Sequence, residues 1–150
     1  KTVKDRFDIF RKKIALFLEH EYNNSIHDYN EYEEFYYIKE REKKKKKKSL
    51  SESINIMGFY SNKKVYTLLM PKIGRRAFDI EDGFIQYLNW NKIHSLNSHQ
   101  TNLNIFWKFL EDNLKKYKGF EEDNFFYYLK ESEFKFNYTK DEQIEILRNL

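Results

Sequence analysis

Asn55-Ile-Met-Gly-Phe-Tyr-Ser-Asn-Lys-Lys-Val-Tyr-Thr-Leu-Leu69 is the stretch on which the fold turns. Just upstream, Ser49 and Glu52 form an S-x-x-E capping box. Leu50, Ile54 and Met57 give a short apolar face, and Gly58 stands where a helix takes its left-handed stop. These signals predict a helix over 50–57. Beyond the glycine, Phe59-Tyr60 and Val65-Tyr66-Thr67-Leu68 are β-favouring runs separated by Ser61-Asn62-Lys63-Lys64, which is hairpin spacing. The stretch therefore reads as a helix passing directly into a hairpin, with Phe59 and Tyr66 opposite each other and Ile54 and Met57 close by.

Working outward, Val3, Phe7, Phe10, Ile14, Phe17 and Leu18 recur at three- and four-residue steps and predict an amphipathic helix with one apolar face. Asn23-Asn24-Ser25 breaks it. The aromatic positions from Tyr29 to Ile38 suit a second helix that runs into the lysines 43–48. Pro71 and Gly74 end the first unit, and Arg75 to Gly83 reads as a connector. Phe84, Tyr87, Leu88 and Trp90 suggest a short helix, with a loop and cap over 97–102. Leu103, Phe106, Trp107, Leu110, Leu114 and Tyr117 predict a second strong amphipathic helix closed by Gly119. Phe125, Phe126 and Leu129 mark another short helix, and Thr139 with Glu142 repeats the capping box before a last helix carrying Ile144, Leu147 and Leu150. The expected fold class is mostly α with a small β component (α+β), in two units, 1–74 and 75–150. Each unit runs long helix, short aromatic helix, capped helix, and the first adds the hairpin.

A chain of 150 residues with 40% hydrophobic and 19% aromatic residues can build a real core. Removing the six lysines Lys43–Lys48 takes the formal net charge from +4 to −2, so the basic character is one local feature. There is no cysteine, which excludes disulfides, thiolate metal sites and a cysteine nucleophile. No uninterrupted apolar stretch approaches the roughly 20 residues of a bilayer span. The chain starts at Lys1 rather than methionine, which leaves room for a longer protein around it.

Helix, helix, capped helix, hairpin is the order of a winged-helix domain, in which the hairpin is the wing. The apolar spacing in Arg11-Lys-Lys-Ile-Ala-Leu-Phe-Leu18, in 55–69, in Asn124-Phe-Phe-Tyr-Tyr-Leu129 and in Tyr138 to Leu150 resembles the C-terminal tandem winged-helix region of the Stn-type subunit of the CST telomere-capping complex and its telomerase-associated counterparts. That resemblance implies a non-enzymatic protein-docking module without cofactors in a nuclear setting. Its partners would be protein subunits of a larger complex, with single-stranded DNA or RNA touched only indirectly. A second stretch, Trp90-Asn-Lys-Ile-His-Ser-Leu96 followed by Trp107, is similar to the tryptophan-containing core of the PHIST family of exported malaria proteins, which implies an all-helical protein-interaction domain. The segment that family places between its tryptophans is replaced here by Asn97-Ser-His-Gln-Thr101, and its fold has no place for a hairpin.

Candidate chemistry is sparse. Lys63 and Lys64 at the turn and Arg75 and Arg76 beyond the hairpin are placed for phosphate contact, as at a wing tip. The lysine run reads as a solvated insert. His20, His27, His94 and His99 lack metal-ligand spacing, and Asp79-Ile-Glu-Asp-Gly83 lacks the spacing and closing glutamate of a calcium loop. No nucleotide-binding or hydrolase motif is present, so no catalytic residue, metal or cofactor is expected. Tyr29, Tyr32, Phe35, Tyr36 and Tyr37 carry more aromatic surface than one face of a short helix can bury, which points to a partner-binding surface.

Overall fold

The computed structural model describes residues 2–37, 53–70, 101–117 and 120–150. Helix α1, Val3–Asn23, opens on a complete capping box in which the Thr2 hydroxyl accepts from the Asp5 N–H and the Asp5 carboxylate accepts from the Thr2 N–H. Three antiparallel strands follow, β1 (Tyr29–Tyr37), β2 (Ile54–Ser61) and β3 (Lys64–Leu69), in the sheet order β1-β2-β3. Helices α2 (Asn102–Leu114), α3 (Phe125–Asn137) and α4 (Lys140–Arg148) complete the described elements, with a single 3-10 turn, Glu122–Asn124, leading into α3. The chain is thus mixed α and β, with four helices around a small antiparallel sheet among the described residues.

The expected hairpin is present. Its two-residue turn, Asn62–Lys63, has both φ values positive, 53° and 64°. That is the backbone twist a two-residue connection between right-twisted strands needs. Phe59 lies opposite Tyr66, as the spacing predicts.

Two expected helices are strands. The helix expected over 50–57 is overturned where it is described, because Ile54 begins β2. Burial alternates along β2, with Ile54, Ile56 and Gly58 inward. Gly58 ends no helix. It sits within the strand because the Trp107 ring lies against it, and a Cβ there would come within 2.6 Å of two ring carbons. The helix expected over 29–38 is β1. Its period is two, with Phe35 and Tyr37 inward beside Glu31 and Glu33, and two inward carboxylates disguise the alternation. Those carboxylates are satisfied at the start of α2. Glu31 accepts from the backbone N–H groups of Asn102 and Leu103, and Glu33 accepts from the Thr101 hydroxyl and the Trp107 indole. Strands therefore stand where the winged-helix order requires its second and third helices.

The helices from Asn102 onward fall closer to expectation. α2 buries Leu103, Phe106, Trp107, Leu110 and Leu114. α4 carries the Thr139–Glu142 capping box. α3 is longer than its apolar signal, running 13 residues through Glu131-Ser132-Glu133. The main core joins Tyr37, Ile54, Ile56 and Val65 to the apolar face of α2 and to Phe125 and Leu129 of α3, so elements on both sides of position 74 share it. A second cluster joins Ile14 and Leu18 of α1 to Phe134 and Tyr138, with Ile146 and Leu147 of α4 against it. The N-terminal part of the apolar face expected for α1 is not packed: Val3, Phe7 and Phe10 are exposed.

Candidate functional site

A groove of about 450 Å³ opens between α1, β3 and α3. Each wall follows from local spacing. Ala15, Leu18 and Tyr22 of α1 are three and four residues apart and share one face. Phe126, Lys130 and Glu133 of α3 do the same from the other side. The third wall comes from β3 with Phe59 of β2, and Leu68 stands at the rim, 50% exposed. The Tyr66 ring meets the Tyr22 ring edge-on at 5.2 Å between centroids, and Tyr22 in turn stacks on His27 at 4.2 Å. Burial pushes the Tyr66 phenol above its ordinary value, with nearby Lys64 opposing that shift. Tyr66 is therefore a neutral hydroxyl over the physiological range.

Beside the apolar walls lies a polar seam where α3 covers the free edge of β3. Val65 and Thr67 direct backbone groups away from β2, and three α3 side chains meet them. Asn137 accepts from the Val65 N–H at 2.8 Å and donates to the Val65 carbonyl at 2.7 Å. Glu133 Oε1 accepts from the Thr67 N–H at 2.6 Å and from the Thr67 hydroxyl at 2.7 Å. Lys130 Nζ donates to the Thr67 carbonyl at 2.6 Å and to Glu133 Oε1 at 3.3 Å. Positions 130, 133 and 137 thus close an edge that would otherwise offer itself to another strand.

The sequence-expected site residues do not converge. Lys63 is exposed at the turn tip. Lys64 is half-buried and turned inward, with Nζ donating to the Tyr138 hydroxyl at 3.2 Å and lying 4.5 Å from that ring's centre. Burial alone would lower the Lys64 pKa, but Tyr138 outweighs it and the ammonium is held above its ordinary value. Arg75 and Arg76 lie outside the described residues, as do Lys43–Lys48, His94, His99 and the segment 79–83. The aromatic patch divides because it lies on a strand. Tyr29 pairs with Ser61 at the start of β1. Phe35 stacks on Trp107 at 4.8 Å and Tyr37 is buried against Phe125, both on the core face. Tyr32, exposed, and Tyr36, half-buried, face the other way, and both donate their hydroxyls to Glu34.

Sequence reasoning missed the groove because its α1 and α3 walls lie more than a hundred residues apart in the chain, with the β3 wall between them. One signal was available: Glu131-Ser132-Glu133 in the middle of an aromatic helix, polar residues that need partners once the helix is buried. Among the described residues no group of three or more His, Asp or Glu could hold a metal ion, and no helix is long and apolar enough to cross a membrane. Of the groove's polar groups, the Lys130 ammonium is tied to Thr67 and Glu133, and Tyr66 is a neutral phenol. Compared with protein-family models, curated proteins and solved structures, the chain matches none.

Proposed function

We propose that the chain is a non-enzymatic protein-docking module of a nucleic-acid-associated assembly, and that its partner seats in the groove between α1, β3 and α3. The observation that carries this reading is the groove itself: open, walled by aromatic and aliphatic side chains, and bordered by Leu68 and Leu69, which stay exposed. On the Stn-type resemblance the assembly is a nuclear telomere-capping or telomerase-associated complex. Of the features behind that resemblance the hairpin stands, while the third helix is a strand. The PHIST-like alternative loses its all-helical frame to the three-stranded sheet.

The test is reconstitution with the subunits of such a complex. The folded chain should co-purify with one of them, and Leu68→Asp, which places a charge at the rim, should remove that binding while leaving the circular dichroism spectrum unchanged. Binding to no subunit by the folded chain, or binding indifferent to Leu68→Asp, overturns the reading. Direct nucleic-acid contact through the turn is a narrower reading supported by the exposed Lys63. If it holds, Lys63→Ala reduces the salt slope of binding by about one.

A further inference from the structure

We propose that the groove selects a cationic anchor, a segment of the partner protein that inserts an apolar side chain between the aromatic walls and sets an Arg or Lys beside it against Glu133. This deepens the docking reading and rests on it. Glu133 is 1% exposed, and its carboxylate is oriented entirely through one oxygen: Oε1 takes the Thr67 N–H, the Thr67 hydroxyl and the Lys130 ammonium. Oε2 takes no donor from the described residues, although Glu133 lines the groove. A nearly buried carboxylate oxygen without a donor favours any ligand that brings one.

Charge decides what kind of donor fits. Two carboxylates, Glu19 and Glu133, line the groove against one ammonium, Lys130, whose hydrogen bonds all run to Thr67 and Glu133. An anionic ligand meets net repulsion there, and a cation meets net attraction. The Tyr66 and Phe126 rings line the groove beside these groups, and the Phe126 ring already carries the Lys130 ammonium, 5.8 Å from its centre. A polypeptide fits better than a free amine because Leu68 and Leu69 carry the apolar surface beyond the groove, at 50% and 38% exposure, where a small amine would leave it bare.

The experiment follows backbone amide NMR of the whole chain on titration with the peptide Ac-Ala-Phe-Arg-Ala-amide, its glutamate counterpart, and 2-phenylethylammonium. The arginine peptide should move the amides of Leu18, Tyr66 and Thr67 and bind at least about ten-fold tighter than the glutamate peptide. Glu133→Gln keeps an acceptor for Thr67 but replaces Oε2 with a donor, and should abolish that preference. Should Glu133→Gln not fold, Glu19→Gln, at an exposed position, should still lessen it. Equal affinities for the two peptides, no groove shifts with either, or an amine that binds as tightly as the arginine peptide each overturn the proposal. A self-dimer that the arginine peptide dissolves would assign the groove to a second copy and overturn it too. Loss of the arginine preference with Leu68→Asp sensitivity retained refutes this inference alone, whereas indifference to Leu68→Asp refutes the docking reading.

Discussion

Gly58 and Lys63 lie five residues apart in one hairpin and carry opposite expectations for substitution. At Gly58 the backbone is ordinary strand, and the obstacle is space: a Cβ would come 2.6 Å from Trp107, whose ring is held by stacking on Phe35 and by its indole bond to Glu33. Gly58→Val should therefore cost about 1–3 kcal/mol as overpacking, measured by chemical denaturation. Trp107→Phe combined with Gly58→Val should recover part of that loss, which a purely backbone effect would not allow. At Lys63 the obstacle is backbone, with φ at 64° in a residue that carries a Cβ. Lys63→Gly should stabilise the chain by on the order of 0.5–1 kcal/mol, because glycine enters the left-handed region without steric cost. A destabilised Lys63→Gly would contradict the observed turn.

At the scale of the element, the edge of β3 shows how α3 holds the sheet. Asn137 satisfies both outward backbone groups of Val65, and Glu133 with Lys130 satisfies those of Thr67. Asn137→Ala should cost about 1–3 kcal/mol, since two buried backbone groups lose their partner together. Hydrogen exchange should report it locally, with the Val65 amide losing protection before that of Ile56 in the middle strand. The exposed edge should also make the variant associate at high concentration. β1 shows the complementary effect. Glu31 and Glu33 face inward only because the first N–H groups of α2 and the Trp107 indole receive them. Without α2 those carboxylates would have no reason to point toward a core, so the strand's alternation is unreadable from residues 29–37 alone.

At the scale of the whole molecule, α3 is the central element, touching the sheet and α2 on one side and α1 on the other. Its middle residues are polar because each tie is a hydrogen bond: Glu131 to Arg11 of α1, Ser132 to Asn113 of α2, and Glu133 to Thr67 of β3. The Arg11 guanidinium also lies 4.4 Å from the centre of the Tyr128 ring. Burial alone would raise the Glu131 pKa, but hydrogen bonds from Lys135 and Arg11 outweigh it and hold the carboxyl below its ordinary value of 4.5. A depressed carboxyl contributes stability above its unfolded value and loses it as pH falls through the folded one. Stability should therefore decline as pH drops below about 4.5, more steeply in the native chain than in Glu131→Gln, as read from denaturation midpoints along the acid limb. Parallel acid limbs would remove Glu131 from the tie between α1 and α3.

What the sequence determined by itself is what neighbours in the chain decide. The Thr139–Glu142 capping box, the apolar face of α2 and a hairpin with Phe59 opposite Tyr66 all depend on residues a few positions apart, and all are found, although the expected four-residue connection Ser61–Lys64 tightens to the two-residue turn Asn62–Lys63. The same local logic failed at 29–37 and at Gly58, where the deciding contacts come from Asn102, Leu103 and Trp107, dozens of residues away. Only the tertiary structure could place Glu31 and Glu33 inward, turn Lys64 away from Lys63, divide the aromatic run between two faces of a strand, and open a groove between residues of α1 and α3. A carboxylate, a glycine or an ammonium has no preferred side until a helix end, an indole ring or a phenol is brought against it, and that is settled by packing rather than by periodicity.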